Sequence, residues 1–336
     1  MLTLARRLVA SVMAIFMALT ISAQEATQGT GWSYNESEQT LTLSGSEVDW
    51  DAVSTFCNGE STIKVVVFDE NYELTEAPEG SYDGSRFGGQ EDNIEEVKFL
   101  SDKIESIGRN AFYHFTNITK VTLPTNLKTI GNGAFDTCKK IEELNLPGNL
   151  TTIGGCAFQN CYGIVTLVIP NKVETIGRGA FTSCMKLQYL TLPASLKSIG
   201  DYGFCSTNLM TVTLLSNGTE GNEHYILLGD DFSDEETDDE KKAKRGGDVF
   251  DRNKATLIYD SNKTWIGDDD TQNLRYYFNE EHRQDTKSST SMQRTVAEPT
   301  SPAQYYDLGG RKVNTETYKG VVVKVQDGQS TMVTIK

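Results

Sequence analysis

Five Ile-Gly steps recur every 23 residues through the middle of this chain: Ile107-Gly108, Ile130-Gly131, Ile153-Gly154, Ile176-Gly177 and Ile199-Gly200. Five residues after each Ile stands Phe112, Phe135, Phe158, Phe181 or Phe204. An apolar triplet follows in each block: Ile118, Val121, Leu123; Ile141, Leu144, Leu146; Ile164, Leu167, Ile169; Leu187, Leu190, Leu192; and, one residue short, Leu209, Val212, Leu214. Pro124, Pro147, Pro170 and Pro193 close four triplets, so four of the seven prolines occupy one repeat position. A fixed period of this length marks a solenoid of leucine-rich type, in which no single coil buries its own apolar face and stacking is obligatory. The 336 residues are therefore read as one elongated repeat unit with flanking segments rather than as two globular domains.

The spacing within a block sets the local expectation. Val121 and Leu123 alternate at period two, so they point inward from a short strand while Lys120 and Thr122 point outward. Pro then ends the strand, having no N–H for a ladder. The Ile-Gly step is read as a turn, and the Ala-Phe pairs (Ala111-Phe112, Ala134-Phe135, Ala157-Phe158, Ala180-Phe181) as the start of a helical turn that drives Phe into the core.

The flanks divide by composition. Arg6 and Arg7, an apolar run over residues 8–21 and the small-residue site Ile21-Ser22-Ala23 have the build of a secretory signal peptide (residues 1–23). That run is shorter than the ~20 residues a spanning helix needs, and no later stretch is apolar enough. Residues 24–93 read as a β cap with degenerate repeats: Trp32-Ser33-Tyr34 and the alternation over 40–45 suggest a hairpin, and Ile63, Val66 and Phe68 a worn copy of the triplet. The regular repeats span 94–215, beginning with Ile94, Val97 and Phe99. Residues 216–278 read as a degenerate last repeat (Val249-Phe250, Leu257-Ile258-Tyr259), interrupted by an insertion at 230–245 with eight carboxylates and no base between Asp230 and Glu240. Such a block is expected to be a solvated loop, and the Asp-x-Asp-x-Asp-Gly spacing of a calcium site is missing. Residues 279–304, polar and carrying Pro299 and Pro302, read as a linker. Residues 305–336 hold strand-like runs at 305–313, 321–325 and 332–336.

The pattern L-x-x-I-G-x-x-A-F-x-x-C-x-x-L-x-x-L-x-L-P, as in residues 127–147, resembles the BspA-like leucine-rich repeat family of bacterial surface proteins. The tail, Tyr306-Asp307-Leu308-Gly309-Gly310-Arg311-Lys312-Val313 and then Lys319-Gly320-Val321-Val322-Val323-Lys324-Val325, resembles the C-terminal sorting domain of type IX secretion in Bacteroidetes. The resemblance implies a secreted or cell-surface protein, expected as a monomer, that serves adhesion or recognition of an extracellular protein or glycan.

Catalytic chemistry finds little support. His114, His224 and His282 are the only histidines, and His114 shares a repeat position with Thr137, Asn160, Ser183 and Ser206, a polar surface slot. No G-x-x-x-x-G-K occurs, and Gly131 and Gly133 are explained by the turn. Cys138, Cys161 and Cys184 recur at one repeat position and should stack about one strand spacing, ~4.8 Å, apart. They read as small buried filler; adjacent rungs are close enough for a disulfide, but parallel side chains suit one poorly. No C-x-x-C or paired His suggests zinc. No cofactor is expected, and the chain is read as a non-enzyme. An acidic insertion acting as a hydrolase or inhibitor is the alternative.

A net charge of −16 argues against nucleic acid, whose phosphates need clustered Lys and Arg. The acid is uneven: residues 104–215 carry nine Lys and Arg against six Asp and Glu. The repeats can thus meet a partner without strong repulsion. Their outward strand positions form two columns, and the candidate face is Lys120, Thr122, Glu143, Asn145, Thr166, Val168, Tyr189, Thr191, Thr211 and Thr213. A further column, Ser106, Thr129, Thr152, Thr175 and Ser198, is read as hydroxyls pairing with turn backbone.

Overall fold

The computed structural model describes residues 27–59, 61–80, 86–215, 227–228, 249–250, 255–259, 278, 283–285, 304–307, 312–314, 320–326 and 329–335. The signal segment 1–23 and the acidic insertion 230–245 lie outside these residues.

Each block folds into one coil, and successive coils stack through backbone hydrogen bonds on three sides. On the strand face, Val65–Tyr72, Glu96–Phe99 and Lys120–Thr122 pair in parallel, with Val66, Val97 and Val121 in register. The parallel ladder resumes with Thr166–Val168, Tyr189–Leu192, Thr211–Leu214, Thr256–Tyr259 and Arg283–Asp285. Between the two ladders, residues 142–145 form no strand.

The second side corrects a sequence expectation. The Thr-Ile steps read as leading into turns are two-residue strands, running from Glu76–Ala77 through Ser106–Ile107, Thr129–Ile130, Thr152–Ile153, Thr175–Ile176 and Ser198–Ile199 to Leu227–Leu228. In this sheet the Ile side chains are buried and the hydroxyls face out. The Ser106 hydroxyl bonds Glu76 Oε1 at 3.0 Å rather than turn backbone.

The third side is built of tight turns, where a helical start was expected. It bonds forward: the amides of Phe112, Phe135 and Phe158 donate to the carbonyls of Ala134, Ala157 and Ala180, each at 2.8 Å. Two left-handed residues recur per coil. One series is Asn110, Gly133, Cys156, Gly179 and Tyr202; the other is His114, Thr137, Asn160, Ser183 and Ser206. The polar slot that holds His114 thus imposes a left-handed backbone, which His114 and Asn160 tolerate well and which Thr137, Ser183 and Ser206 also adopt.

The Ile-Gly glycines serve a different need. Gly131, Gly154 and Gly177 are absent from the positive-φ positions. A Cβ on Gly154 would stand 2.7 Å from the Asn132 amide and from the Gly131 carbonyl carbon, and one on Gly177 would stand 2.5 Å from the Gly155 amide. Adjacent coil backbones approach so closely here that only hydrogen fits.

The core is a set of columns along the axis. Phe87, Phe112, Phe135, Phe158, Phe181, Phe204 and Phe250 form a continuous stack, with centroids 5.2 to 5.7 Å apart and planes within 13° of parallel. Centroid spacings above the ~4.8 Å rung spacing indicate offset stacking, which the ring quadrupole favours over a direct sandwich.

At the N-terminal end the hairpin Trp32–Asn35 with Thr40–Gly45 is antiparallel, and its second strand pairs in parallel with Val65–Tyr72. The helix Trp50–Cys57, which the sequence reading did not foresee, is capped by Asp49, whose side chain accepts from the Ala52 amide at 3.0 Å. It buries Val53, Phe56 and Cys57. Toward the other end, Phe250 stacks on Phe204 and Leu257 pairs with Val212. Arg283–Asp285 then adds a rung inside the stretch 279–304 that had been read as linker. In the tail, Gln304–Asp307, Gly320–Gln326 and Gln329–Ile335 form an antiparallel sheet.

Candidate binding face

The ten candidate residues lie on coils of one face, as their period-two placement required, but their surroundings change along it. At the N-terminal end the surface is charged. Glu96 bridges Lys120 at 2.7 Å and Lys98 at 3.0 Å. Partial burial works against the Glu96 charge, yet the two lysines outweigh it and hold the carboxyl below its ordinary range. Lys120 and Thr122 are exposed.

Midway, Glu143 is exposed and Asn145 half-buried, on the coil that carries no strand. Both are engaged from far along the chain: Lys312 Nζ reaches Glu143 Oε1 at 2.8 Å, and the Lys312 amide reaches Asn145 Oδ1 at 3.4 Å.

Toward the C-terminal end the two outward columns diverge. Thr166, Tyr189 and Thr211 stay half-exposed, whereas Val168, Thr191 and Thr213 are buried at 5%, 1% and 6% exposure. The Thr213 hydroxyl is buried without a hydrogen-bond partner. Tyr189 and Leu215 pack on Val168 in a small apolar cluster apart from the main core. Sequence alternation placed these side chains outward, and nothing local signals their burial.

Beside the half-exposed column lies a strip the sequence reading missed. Val165 and Met210 sit just before two of the strands, Gln188 bonding both through its backbone, and they are 39% and 52% exposed. The Tyr189 hydroxyl reaches Met210 Sδ at 3.9 Å. The signal was available: the position before each strand reads Thr119, Glu142, Val165, Gln188 and Met210, polar except at two coils.

Cys138, Cys161 and Cys184 are buried, and their thiols donate to the carbonyls of Phe112, Phe135 and Phe158 at 3.2 to 3.3 Å. None of the six cysteines forms a disulfide. Burial pushes the Cys184 and Cys57 thiols up to about 12 and raises Cys138 and Cys161 as well, which suppresses the reactive thiolate. At pH 8, Cys57, Cys138, Cys161 and Cys184 should therefore resist alkylation in the native protein, and all six should label after unfolding without reductant. Mass spectrometry of the alkylated peptides reads this directly, and a cysteine blocked in the unfolded chain would refute it. His114 is exposed on the turn side; His224 and His282 lie outside the described residues. Among the described residues no group of His, Cys, Asp and Glu could hold a metal, and no helix is long and apolar enough to cross a membrane.

Residues 90–225 match the BspA type leucine rich repeat region, in six copies. With the stacked coils, this makes the fold a BspA-like leucine-rich repeat solenoid, rich in short strands. Similar solved structures include a leucine-rich repeat protein of T. pallidum, at 21% identity over 56% of this chain and 85% of that one, with a TM-score of 0.40. A leucine-rich cell surface protein of Faecalibacterium prausnitzii matches at 20% identity over 60% of this chain and 54% of that one, TM-score 0.35. A leucine-rich repeat protein of Bacteroides ovatus matches at 18% identity over 69% and 64%, TM-score 0.34. No curated protein matches the sequence.

Proposed function

We propose that this protein is an exported, surface-associated repeat protein that captures an extracellular protein or glycan on its strand face, by binding rather than catalysis. The observation that carries the reading is the strip of Val165, Tyr189 and Met210 on adjacent coils. Val165 and Met210 are two of the five exposed large apolar side chains among the described residues, the others being Leu100, Met185 and Tyr202, and these two flank the half-exposed Tyr189 on adjacent coils; grouped apolar exposure bordered by hydroxyls is a mark of an interaction site. Aromatic and Met side chains are also those enriched where partners dock. Export is supported by the signal-peptide build of residues 1–23 and the sorting-like tail.

Arrays of glycans and extracellular-matrix proteins supply the ligand. Replacing Tyr189→Ala together with Met210→Ser is expected to weaken capture at least about tenfold, the size of a contact near an interface centre. Unchanged capture by that variant, with loss on deleting residues 230–245, would move the site to the acidic insertion.

A further inference from the structure

We propose that the outward column of the strand face that carries Val168, Thr191 and Thr213 already has an occupant, the chain's own C-terminal module, which folds back over the coils from residues 142–145 to Leu214 and leaves the half-exposed strip of Val165, Tyr189 and Met210 beside it open. This goes beyond partner capture and does not depend on it.

Three observations converge. The first is direct contact: Lys312 bonds Glu143 and Asn145. A cleft of about 230 Å³ separates residues 142–145, Val165 and Thr166 on the solenoid from Gln304 and Lys312 on the module. The second is burial: Val168, Thr191 and Thr213 occupy outward positions on the next three coils yet are 6% exposed or less, whereas Thr122, in the same column nearer the N-terminus, is exposed. Tyr189 and Leu215 cover part of Val168, and the burial of Thr191 and Thr213 is what a segment lying on the column would produce. The third is charge. Residues 304–336 hold five Lys and Arg against three Asp and Glu in a chain of net −16, and the coil they meet presents Glu142 and Glu143 side by side, both exposed.

The chain has the reach. The last rung, Arg283–Asp285, lies five coils beyond residues 143–145, about 24 Å at ~4.8 Å per rung. The 19 residue steps from Asp285 to Gln304 can span up to about 60 Å. The return starts and ends on the same face, and three of the four coils between its two ends carry a buried outward residue, the fourth holding the half-exposed Ile258. The strandless coil at 142–145 marks where the module makes its side-chain grip.

Zero-length carbodiimide cross-linking of the full-length chain tests this, with Lys312 traced by mass spectrometry in a mixture of isotopically heavy and light protein. The expected result is a Lys312–Glu143 amide within single chains, independent of dilution. Lys312→Glu should cut linkage between the module and residues 142–143 at least about tenfold, and adding Glu143→Lys should restore it with the two ends exchanged. Both positions are exposed, so the variants should keep the fold, which circular dichroism verifies. Lys312 joined to scattered carboxylates, or to none, would overturn the proposal. Mixed heavy–light links would also overturn it, giving the face to a second copy. Capture by the Tyr189 and Met210 variant is a separate measurement, so either reading can fail alone.

Discussion

Phe158→Ala is expected to cost about 3 to 5 kcal/mol, the range for emptying a buried aromatic site, and to do so without touching any candidate binding residue. Phe158 is fully buried and stacks on Phe135 and Phe181 at 5.3 and 5.4 Å. Truncation removes the side chain's burial and both ring contacts, each worth about 0.5 to 1.5 kcal/mol. The neighbouring rings are held by backbone bonds of their own coils, so they cannot close the gap. Because coils touch only their neighbours, the coupling of the two halves should weaken as well. Urea unfolding should show a lower midpoint and a broadened or split transition. A single transition shifted by less than about 1 kcal/mol would mean that the aromatic column is not what couples the coils. Tyr189→Ala, outside the main core, serves as the comparison and should cost far less.

Gly154→Ala is expected to destabilise by about 1 to 3 kcal/mol, the cost of overpacking a close-packed interior, although alanine favours ordered backbone in general. The added carbon would meet the Asn132 amide and Gly131 carbonyl carbon at 2.7 Å. Both belong to the preceding coil, so relief requires the coils to part. The informative contrast is Gly179→Asn. Gly179 has φ +63°, its nearest obstruction is a side chain at 3.3 Å, and its equivalents in other coils are Asn110, Cys156 and Tyr202. That change should cost about 1 kcal/mol or less, since Asn tolerates this conformation. Equal losses in the two variants, measured by thermal or chemical denaturation, would refute the distinction between a glycine kept for spacing and one kept for its dihedral.

The sequence disclosed what repeats. Period 23 placed Ile, Phe, Cys and the triplets in columns that are buried in the structure, apart from the half-buried Val121 and Leu123. It misassigned the Ile-Gly step, because a two-residue strand is too short to show alternation and a glycine looks the same whether it serves a turn or a close approach. The helix Trp50–Cys57 was legible in principle from Asp49 and the spacing of Val53, Phe56 and Cys57, but it lies outside the period that drew attention. The burial of Thr191 and Thr213 could not be read. Alternation reports which way a side chain leaves its strand and is silent about what lies on the far side.

The direction of the coil-to-coil hydrogen bonds has a mechanical consequence. On all three sides these bonds run along the stacking axis, so a pull between the two ends of the solenoid loads them in tension one coil at a time instead of shearing many together. Each coil that lets go would release up to about 80 Å of chain for its 23 residues, less the single rung spacing it occupied. Under an end-to-end load the regular repeats would lengthen in near-equal steps, each dissipating work, and coils still stacked would template the return of those that opened. The period that builds the strand face also makes the stack extensible.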